Sequence, residues 1–205
     1  MIRVALIRHG ETAWNGERRL QGQKDIALSA AGRGQARSLA AAIAAVAPDR
    51  VVVSGLRRTA ETAQELGLEP DACDSRLDEA SLGEWEGRYS ADIRADSPEA
   101  YAAWRAGRLT PPGGESFEQL TSRVTAGLLG AAADCAEAGG EALVIVTHGG
   151  PVRAMLAELV GLDPARAVHS HPAGLSLLDV DSRTQDVKLR LYNYSPVVLD
   201  PDPAD

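Results

Sequence analysis

Two histidines of this chain follow apolar runs, and each precedes a glycine. His9 comes after the run 2–7, and His148 comes after the run 142–146. Short apolar runs of this kind predict buried strands, so both imidazoles are expected at strand ends, where α/β proteins carry reactive groups. A histidine there could be a nucleophile, a base, a metal ligand or a hydrogen-bonded structural residue. Two of them at equivalent positions in one small chain indicate a single site.

Arginine side chains accompany these histidines. Arg8 directly precedes His9, and Arg58 lies where the apolar run 51–53 gives way to a helical segment. A guanidinium can hold a phosphate through two parallel hydrogen bonds. Because we expect the run 51–53 to end beside the run 2–7, the two arginines would form a positively charged pocket that stabilises a transferring phosphoryl group. The substrate is therefore predicted to be phosphorylated.

Composition restricts the partners and the compartment. Lys and Arg number 21 and Asp and Glu 29, and the net charge of −8 disfavours nucleic acid or an anionic membrane as the main partner. Cys73 and Cys135 belong to no metal or disulfide pattern and are expected to be buried thiols of a reducing compartment. A strand beginning at residue 2 leaves no room for a cleavable signal, and no apolar run is long enough to span a membrane. We expect a cytoplasmic protein, monomer or homodimer, with a small phosphorylated substrate.

Strand-like and helix-like segments alternate along the chain. They predict a three-layer α/β/α sandwich with a mostly parallel central sheet, in a single domain over residues 1–205. The expected strands are 2–7, 51–53, 142–146 and an antiparallel pair at about 173–180 and 186–192. The expected helices are 30–46 behind the N-cap Ser29, 57–66, a helix from the capping box of Ser116 and Gln119 to about residue 137, and 150–160. Residues 15–28 are expected to form a loop, and 201–205 a frayed end.

The stretch from residue 78 to residue 116 breaks this alternation. It contains two short helical segments and a firm break at 111–114, which reads Pro-Pro-Gly-Gly. We predict that it forms a small cap over the strand ends, where ligands bind in sheets of this kind. Its aromatic residues Trp85, Tyr101 and Trp104 are expected to pack against one another more than to shape a substrate pocket.

Residues 8–15 read Arg-His-Gly-Glu-Thr-Ala-Trp-Asn and resemble the RHGxTxxN signature of the histidine phosphatase superfamily, which includes the cofactor-dependent phosphoglycerate mutases. Four further segments are similar to that family in the same order, namely 21–22, 58–63, 77–87 and 147–150, and the segment 112–116 is similar to its pre-helix motif. Ordered motifs that span residues 1 to about 160 are far more specific than any one of them. The chain is therefore identified as a member of that superfamily.

The resemblance implies a role for each central residue. His9 would be the nucleophile that forms a phosphohistidine. Arg8, Arg58 and His148 would bind the phosphoryl oxygens, with His148 in its cationic form. Glu79 would protonate the leaving oxygen and then activate the water that hydrolyses the phosphohistidine. Catalysis of phosphoryl transfer depends mainly on the positioning of the reactants and on neutralisation of charge, so no metal and no cofactor is expected.

The same resemblance assigns residues around this centre. Asn15 and Gln21 match positions that line the phosphate pocket, and ordinary loop capping explains them equally well. The complete expected substrate-binding set is Arg8, Asn15, Gln21, Gly22, Arg58, His148 and Gly149.

Other acidic side chains of the motifs are expected to be structural. Glu84 and Glu86 rival Glu79 for the acid role, but the family pattern places the acid at Glu79. Glu11 is also expected to be structural. Glu115 is expected to serve the entry of the helix that follows it.

His169 and His171 form a His-Ser-His sequence that invites a metal interpretation. Two ligands do not make a metal site, so a solvated loop before the strand at 173–180 is the better interpretation. Because this loop lies near strand ends in the family, His171 could still overhang the pocket.

These assignments predict a metal-independent phosphomonoesterase that hydrolyses a small phosphorylated metabolite through a phosphohistidine intermediate. One alternative is phosphoglycerate mutase-type transfer, which returns the phosphoryl group to another oxygen of the substrate. We favour the phosphatase, because the dedicated mutases typically carry a longer insertion before the helix that begins near residue 117. The other alternative is a non-catalytic module that binds a phosphorylated ligand, and it is disfavoured because the nucleophile and the acid are both in place.

Overall fold

The computed structural model describes residues 1–196, so the expected frayed end at 201–205 lies outside the described residues. Its six strands are β1 (Ile2–Arg8), β2 (Arg50–Val53), β3 (Ala72–Cys73), β4 (Ala142–Thr147), β5 (Leu175–Val180) and β6 (Val187–Tyr194). They form one sheet in the order β3-β2-β4-β1-β5-β6. The pairs among β1 to β4 are parallel, whereas β5 pairs antiparallel with both β1 and β6. The predicted α/β fold with a mostly parallel sheet is confirmed.

Helices connect and cover the strands. They are α1 (Ala13–Gly16), α2 (Ala30–Val46), α3 (Arg57–Glu65), α4 (Ser90–Asp96), α5 (Pro98–Arg105), α6 (Phe117–Glu137) and α7 (Gly149–Val160). The predicted caps of α2 and α6 are confirmed: Ser29 accepts a hydrogen bond from the third residue of α2, and Ser116 and Gln119 form a capping box. The prediction of a loop over 15–28 is wrong at its start, because residues 15 and 16 belong to the short helix α1. A second capping box, of Thr12 and Asn15, stabilises the N-terminus of this helix.

Both faces of the central strands are buried under helices. On one face Val4 and Leu6 of β1 pack in an apolar cluster with α6 and α7, and on the other Ala5 and Ile7 pack with α2 and α3. Because successive strand residues point to opposite faces, a strand covered on both sides needs an uninterrupted apolar run. This arrangement gives the three predicted layers.

The order of the strands differs from the expectation in one respect. The run 51–53 was expected to end beside the run 2–7, but β4 lies between β2 and β1 and pairs with both. Local sequence patterns do not specify the neighbour of a parallel strand, because helical crossovers join the strands over long distances. The consequence is that His148, which follows β4, stands between the residues that follow β1 and those that follow β2.

The segment 78–116 holds α4 and α5 and, together with Leu20, forms a separate apolar cluster. The buried members of this cluster are Leu20, Leu82, Trp85, Ile93 and Tyr101. The ring of Trp104 packs on those of Trp85 and Tyr101, with centroid distances of 5.6 Å to each. The cap therefore has a small core of its own, as the expected packing role of its aromatic residues requires.

The cysteines depart from the prediction in one case. Cys135 on α6 is buried and free, but Cys73 is exposed, because it ends the short edge strand β3. Among the described residues, no helix is long and apolar enough to cross a membrane.

Candidate active site

A cavity of about 70 Å³ opens where β1, β2 and β4 end. Its walls contain almost every residue predicted for the site. The predicted residues that line it are Arg8, His9, Asn15, Gln21, Gly22, Arg58, Glu79 and Gly149. His148 is fully buried beside it, with its ring centroid 5.1 Å from that of His9. The structure thus brings together residues that lie up to about 140 positions apart in the chain.

The ring of His9 is held in one tautomer. Its Nδ1 lies 2.7 Å from the carbonyl oxygen of Gly10. Because a carbonyl oxygen only accepts, Nδ1 carries the hydrogen and Nε2 carries the lone pair. Burial lowers the pKa of His9 well below its usual value, and the charges of Arg58 and Arg8 lower it further. At neutral pH His9 is therefore an uncharged imidazole with a free nucleophilic nitrogen.

The turn after His9 is fixed by close packing of backbone on backbone. A side chain at Gly10 would place its Cβ 2.5 Å from the carbonyl oxygen of Gly32, in the first turn of α2. The main-chain N–H of Gly10 also donates to the hydroxyl of Thr62 on α3 at 3.0 Å. Two helices therefore hold the turn that orients the imidazole, and glycine at position 10 is required for it.

Arg8 lies beside His9 at the end of β1. Its Nη1 donates to the carbonyl oxygen of Ser170 at 2.6 Å. Burial lowers the pKa of Arg8 to about 10; the carboxylate of Glu79 opposes this shift and the charge of Arg105 adds to it. The side chain is thus a fixed cation at neutral pH.

Arg58 is the second cation of the cavity, and its side chain is fully buried in the first turn of α3. Its Nη1 and Nη2 donate to the carbonyl oxygens of Lys24 and Gly22 at 2.7 and 2.9 Å. Burial is also the main cause that lowers the pKa of Arg58 to about 10. Arg58 therefore stays charged and ties the 22–24 loop to the site.

His148 is a neutral imidazole in this structure. Nε of Arg58 donates to its Nδ1 at 3.1 Å, so that nitrogen carries no hydrogen. Its Nε2, 2.7 Å from Oγ of Ser54, must then be the N–H donor of the ring. Burial, followed by the charge of Arg58, lowers the pKa of His148 well below its usual value. The cationic form expected for contact with a phosphoryl group is not the form seen here.

Glu79 presents its carboxylate to the start of α7. Oε1 accepts from the main-chain N–H of Ala80 at 2.8 Å, and Oε2 accepts from the N–H of Gly150 at 3.3 Å. A Cβ at position 150 would lie only 2.2 Å from Oε1. Glycine at this position therefore makes room for the acid.

A side chain of α6 holds the segment that carries Glu79. Arg123 donates through Nη1 to the carbonyl oxygens of Arg76 and Asp78, at 2.9 Å each, and through Nη2 to that of Glu79 at 3.4 Å. The carboxylate of Glu115 accepts from Nε and Nη2 of Arg123 at 2.8 and 2.7 Å. Glu115 thus orients Arg123, which corrects the expectation that it serves helix entry.

Asn15 and Gln21 both lie in the cavity wall. The Oδ1 of Asn15 also accepts from the main-chain N–H and the hydroxyl of Thr12, at 3.1 and 3.0 Å, so this residue both caps α1 and faces the cavity. Gln21 is buried, and its Oε1 has no hydrogen-bond partner. An unsatisfied buried oxygen in a cavity wall is a candidate ligand contact.

The remaining acidic side chains of the motifs support loops. Oε1 of Glu86 accepts from the main-chain N–H of Gln23 at 3.0 Å, and a Cβ at Gly22 would lie 2.2 Å from that oxygen. Glu84 is exposed. The carboxylate of Glu11 accepts from the hydroxyl of Ser29 at 2.9 Å.

Seven cavity residues lie outside the predicted set. Four of them are Leu20, Ala80, Leu82 and Gly150, and the other three have large side chains with nitrogen atoms. They are Trp104 from the cap, Arg153 from α7 and His169 from the loop before β5. Arg153 lies four residues after Gly149, and residues four apart share a face of a helix, so helical spacing could have found it. His171 is absent from the wall, and the suggestion that it overhangs the pocket is wrong: His169 is the member of the pair that does. Among the described residues, no group of three or more His, Cys, Asp and Glu side chains is placed to hold a metal ion.

The family model of the histidine phosphatase superfamily, branch 1, matches residues 4–193 of the chain. The chain belongs to this superfamily. The resemblance carried by the ordered motifs is thereby confirmed, and the match extends beyond the motifs to β5 and β6.

The proteins that are similar to this chain include phosphatases and a phosphoglycerate mutase-like protein. A glucosyl-3-phosphoglycerate phosphatase of Mycolicibacterium vanbaalenii is 39% identical over 168 residues, which cover 78% of this histidine phosphatase and 75% of the relative. The phosphoglycerate mutase-like protein 4 of Arabidopsis thaliana is 36% identical over 160 residues, or 74% and 68% of the two chains. A solved structure of a mycobacterial glucosyl-3-phosphoglycerate phosphatase with VO3 has a TM-score of 0.84 and 32% identity, and the match covers 95% of this chain and all of that one.

Proposed function

We propose that this histidine phosphatase hydrolyses a small phosphate monoester through a phosphohistidine at His9. The observation that carries the proposal is the tautomer of His9: the bond from Nδ1 to Gly10 leaves the lone pair on Nε2, in a cavity that also contains Arg8 and Arg58. The names of the most similar relatives support phosphatase activity.

In the first step Nε2 of His9 attacks phosphorus in line with the leaving oxygen. The P–N bond forms, the bond from phosphorus to the ester oxygen breaks, and Glu79 gives that oxygen the proton that it took from water in the second step of the preceding turnover. The guanidinium groups of Arg8 and Arg58 neutralise the charge on the phosphoryl oxygens. The products of this step are the free alcohol and phosphohistidine.

In the second step water attacks the phosphohistidine. The carboxylate of Glu79 takes a proton from the water, a P–O bond forms and the P–N bond breaks. The ring of His9 leaves as the neutral imidazole with which the cycle began, and inorganic phosphate is released. One carboxyl group thus serves both half-reactions, because the first step leaves it in the form that the second step needs.

His148 would change its charge during this cycle. Its Nδ1 accepts from Nε of Arg58, so it can donate to a phosphoryl oxygen only after it gains a proton. That proton breaks the bond from Arg58, whose Nε then needs a phosphoryl oxygen as its new acceptor. The bond between Nε2 and Ser54 is compatible with both forms, since Nε2 carries a hydrogen in each. A phosphoryl dianion beside the ring would raise the pKa of His148, because its negative charge opposes the charges of Arg58 and Arg8, which lower that pKa after burial as the main cause. We infer that His148 takes up a proton when the substrate binds.

The substrate class follows from the cavity and the relatives. A cavity this small fits a small phosphorylated metabolite, and the names of the relatives make a phosphoglycerate derivative the first compound to assay. The cytoplasmic location and the choice between monomer and homodimer remain predictions from the sequence.

The test is release of inorganic phosphate from p-nitrophenyl phosphate and from 3-phosphoglycerate. His9→Ala should reduce kcat on both by at least about a thousandfold, because it removes the nucleophile. Glu79→Gln should reduce kcat by about 10²- to 10⁴-fold, because general acid–base assistance is lost. Glu84→Gln is the matched control and should change kcat less than about twofold, since Glu84 is exposed.

Two results would contradict the proposal. Unchanged phosphate release by His9→Ala would remove His9 as the nucleophile. Conversion of 3-phosphoglycerate to its 2-phospho isomer in the presence of the bisphosphate, with little phosphate released, would show a mutase.

A further inference from the structure

The outer part of the cavity contains a cation that the proposed chemistry does not use. Arg153 lines the cavity from α7, and its Nη1 donates to the carbonyl oxygen of Arg105 at 2.7 Å. Its guanidinium lies over the ring of Phe117, with Cζ 5.4 Å from the ring centroid. No carboxylate of the described residues forms an ion pair with Arg153, although the protein has an excess of acidic side chains.

The N–H groups on one edge of this guanidinium have no hydrogen-bond partner among the described residues. Nε of Arg153 is buried and has no hydrogen-bond partner, and Nη2 donates to no described residue. The N–H of Nε and one N–H of Nη2 point in the same direction, and together they form the fork that accepts the two oxygens of a carboxylate. A buried donor without a partner is unfavourable in a folded protein and indicates a missing ligand contact.

Positive charges outnumber negative ones around Arg153 and His169. Burial and the charge of Arg105 lower the pKa of Arg153 to about 10, with Glu79 opposing them. Arg105, Arg153 and Arg8 also lower the pKa of His169, after burial as the main cause. The charges of three guanidinium groups thus act on one imidazole, and Glu79 is the acid that opposes two of these groups, Arg8 and Arg153. A fold that keeps mutually repelling cations in a cavity wall creates a site for an anion.

The position of this cluster relative to His9 suggests which anion it binds. The phosphoryl group would lie against His9, Arg8 and Arg58, where β1 and β2 end. Arg153 and His169 line the same cavity from α7 and from the loop before β5, so they would face the part of the substrate that leaves.

We propose that Arg153, supported by Arg105 and His169, binds a carboxylate on the leaving group, and that the preferred substrates are phosphate monoesters of hydroxy acids. This inference rests on the proposed phosphatase function and narrows its substrate class. A carboxylate fits better than a neutral group, because only an anion with two acceptor oxygens satisfies both donors of the free edge.

The experiment compares 3-phosphoglycerate with glycerol phosphate, which has a hydroxymethyl group in place of the carboxylate. The wild-type enzyme should prefer 3-phosphoglycerate by at least about tenfold in kcat/KM. Arg153→Gln should reduce kcat/KM for 3-phosphoglycerate by about 10- to 100-fold, the effect of one charge-assisted bidentate contact, and change that for glycerol phosphate less than about twofold. Inhibition by inorganic phosphate should be unchanged, which would show that the phosphoryl end of the variant is intact.

Arg108→Gln is the control, because this exposed arginine of the cap lies outside the cavity wall. Its ratio of kcat/KM for the two substrates should equal that of the wild type. Equal rates on the two substrates, or an unchanged ratio in Arg153→Gln, would overturn the carboxylate site and leave the phosphatase proposal standing. Failure to hydrolyse p-nitrophenyl phosphate as well would instead overturn the proposed function itself.

Discussion

At the scale of single residues, two adjacent glycines at the start of α7 have different roles. A Cβ at Gly150 would lie 2.2 Å from Oε1 of Glu79, whereas a Cβ at Gly149 would lie 3.4 Å from Nε of Arg8, an ordinary contact. The atom in the way at position 150 is the end of a side chain, which can turn aside without disturbing the backbone. A methyl group there would therefore displace the acid and leave the fold intact.

Gly150→Ala should lower kcat by about a hundredfold, since a misplacement of about 1 Å in a reacting group has an effect of that size. Gly149→Ala should lower it less than about threefold. Steady-state kinetics on p-nitrophenyl phosphate, with thermal melting of both variants to show that they fold, would measure the difference. Equal losses of kcat in the two variants would show that glycine at position 150 is not needed to make room for Glu79.

At the scale of elements, no helix or strand carries Glu79 itself. It follows a 3₁₀ turn over Ser75–Leu77, in an irregular segment, and α6 holds that segment through Arg123. Lysine could not replace this contact, because it is a point charge without the planar fork that reaches several carbonyl oxygens and the carboxylate of Glu115 together. Arg123 is thus a positioning residue that acts through Glu79.

Arg123→Lys should lower kcat by about tenfold and change KM less than about twofold, because the acid is misplaced while the phosphoryl contacts remain. In a Glu79→Gln background the same change should have little further effect, since the group it positions is already disabled. Arg37→Lys, on the exposed face of α2, serves as the control. A tenfold loss of kcat that persists in the Glu79→Gln background would show that Arg123 does not act through Glu79.

At the scale of the whole molecule, the sequence predicted what is encoded locally. The apolar run of β1 and the caps of α2 and α6 are local signals, and all three were predicted correctly. The insertion of β4 between β1 and β2 was not, because strand order is set by long crossovers that leave no local pattern.

For the candidate site too, local motifs predicted some features, and others depend on contacts that form only in the folded chain. The ordered motifs predicted the residues that converge on the cavity. His9, Arg58 and His148 lie at the end of a strand or the start of a helix, whereas Gln21, Gly22 and Glu79 lie in irregular segments and were found through the family motifs alone. The neutral state of His148 depends on Arg58 and Ser54, which reach it only in the folded chain. Arg153 shares a helix face with Gly149 and could have been found from that spacing, whereas His169 joins the site only through tertiary packing of the loop before β5.

The central claim is that a phosphoryl group passes through Nε2 of His9, and trapping the intermediate tests it most directly. The enzyme would be mixed with a monoester that carries radioactive phosphorus, quenched in alkali within milliseconds and digested, and the labelled peptide mapped by mass spectrometry. We predict an acid-labile, alkali-stable label on Nε2 of His9, since Nδ1 is engaged with Gly10. Label on Nδ1 of His9 or on His148, or turnover without any labelled protein, would contradict the account.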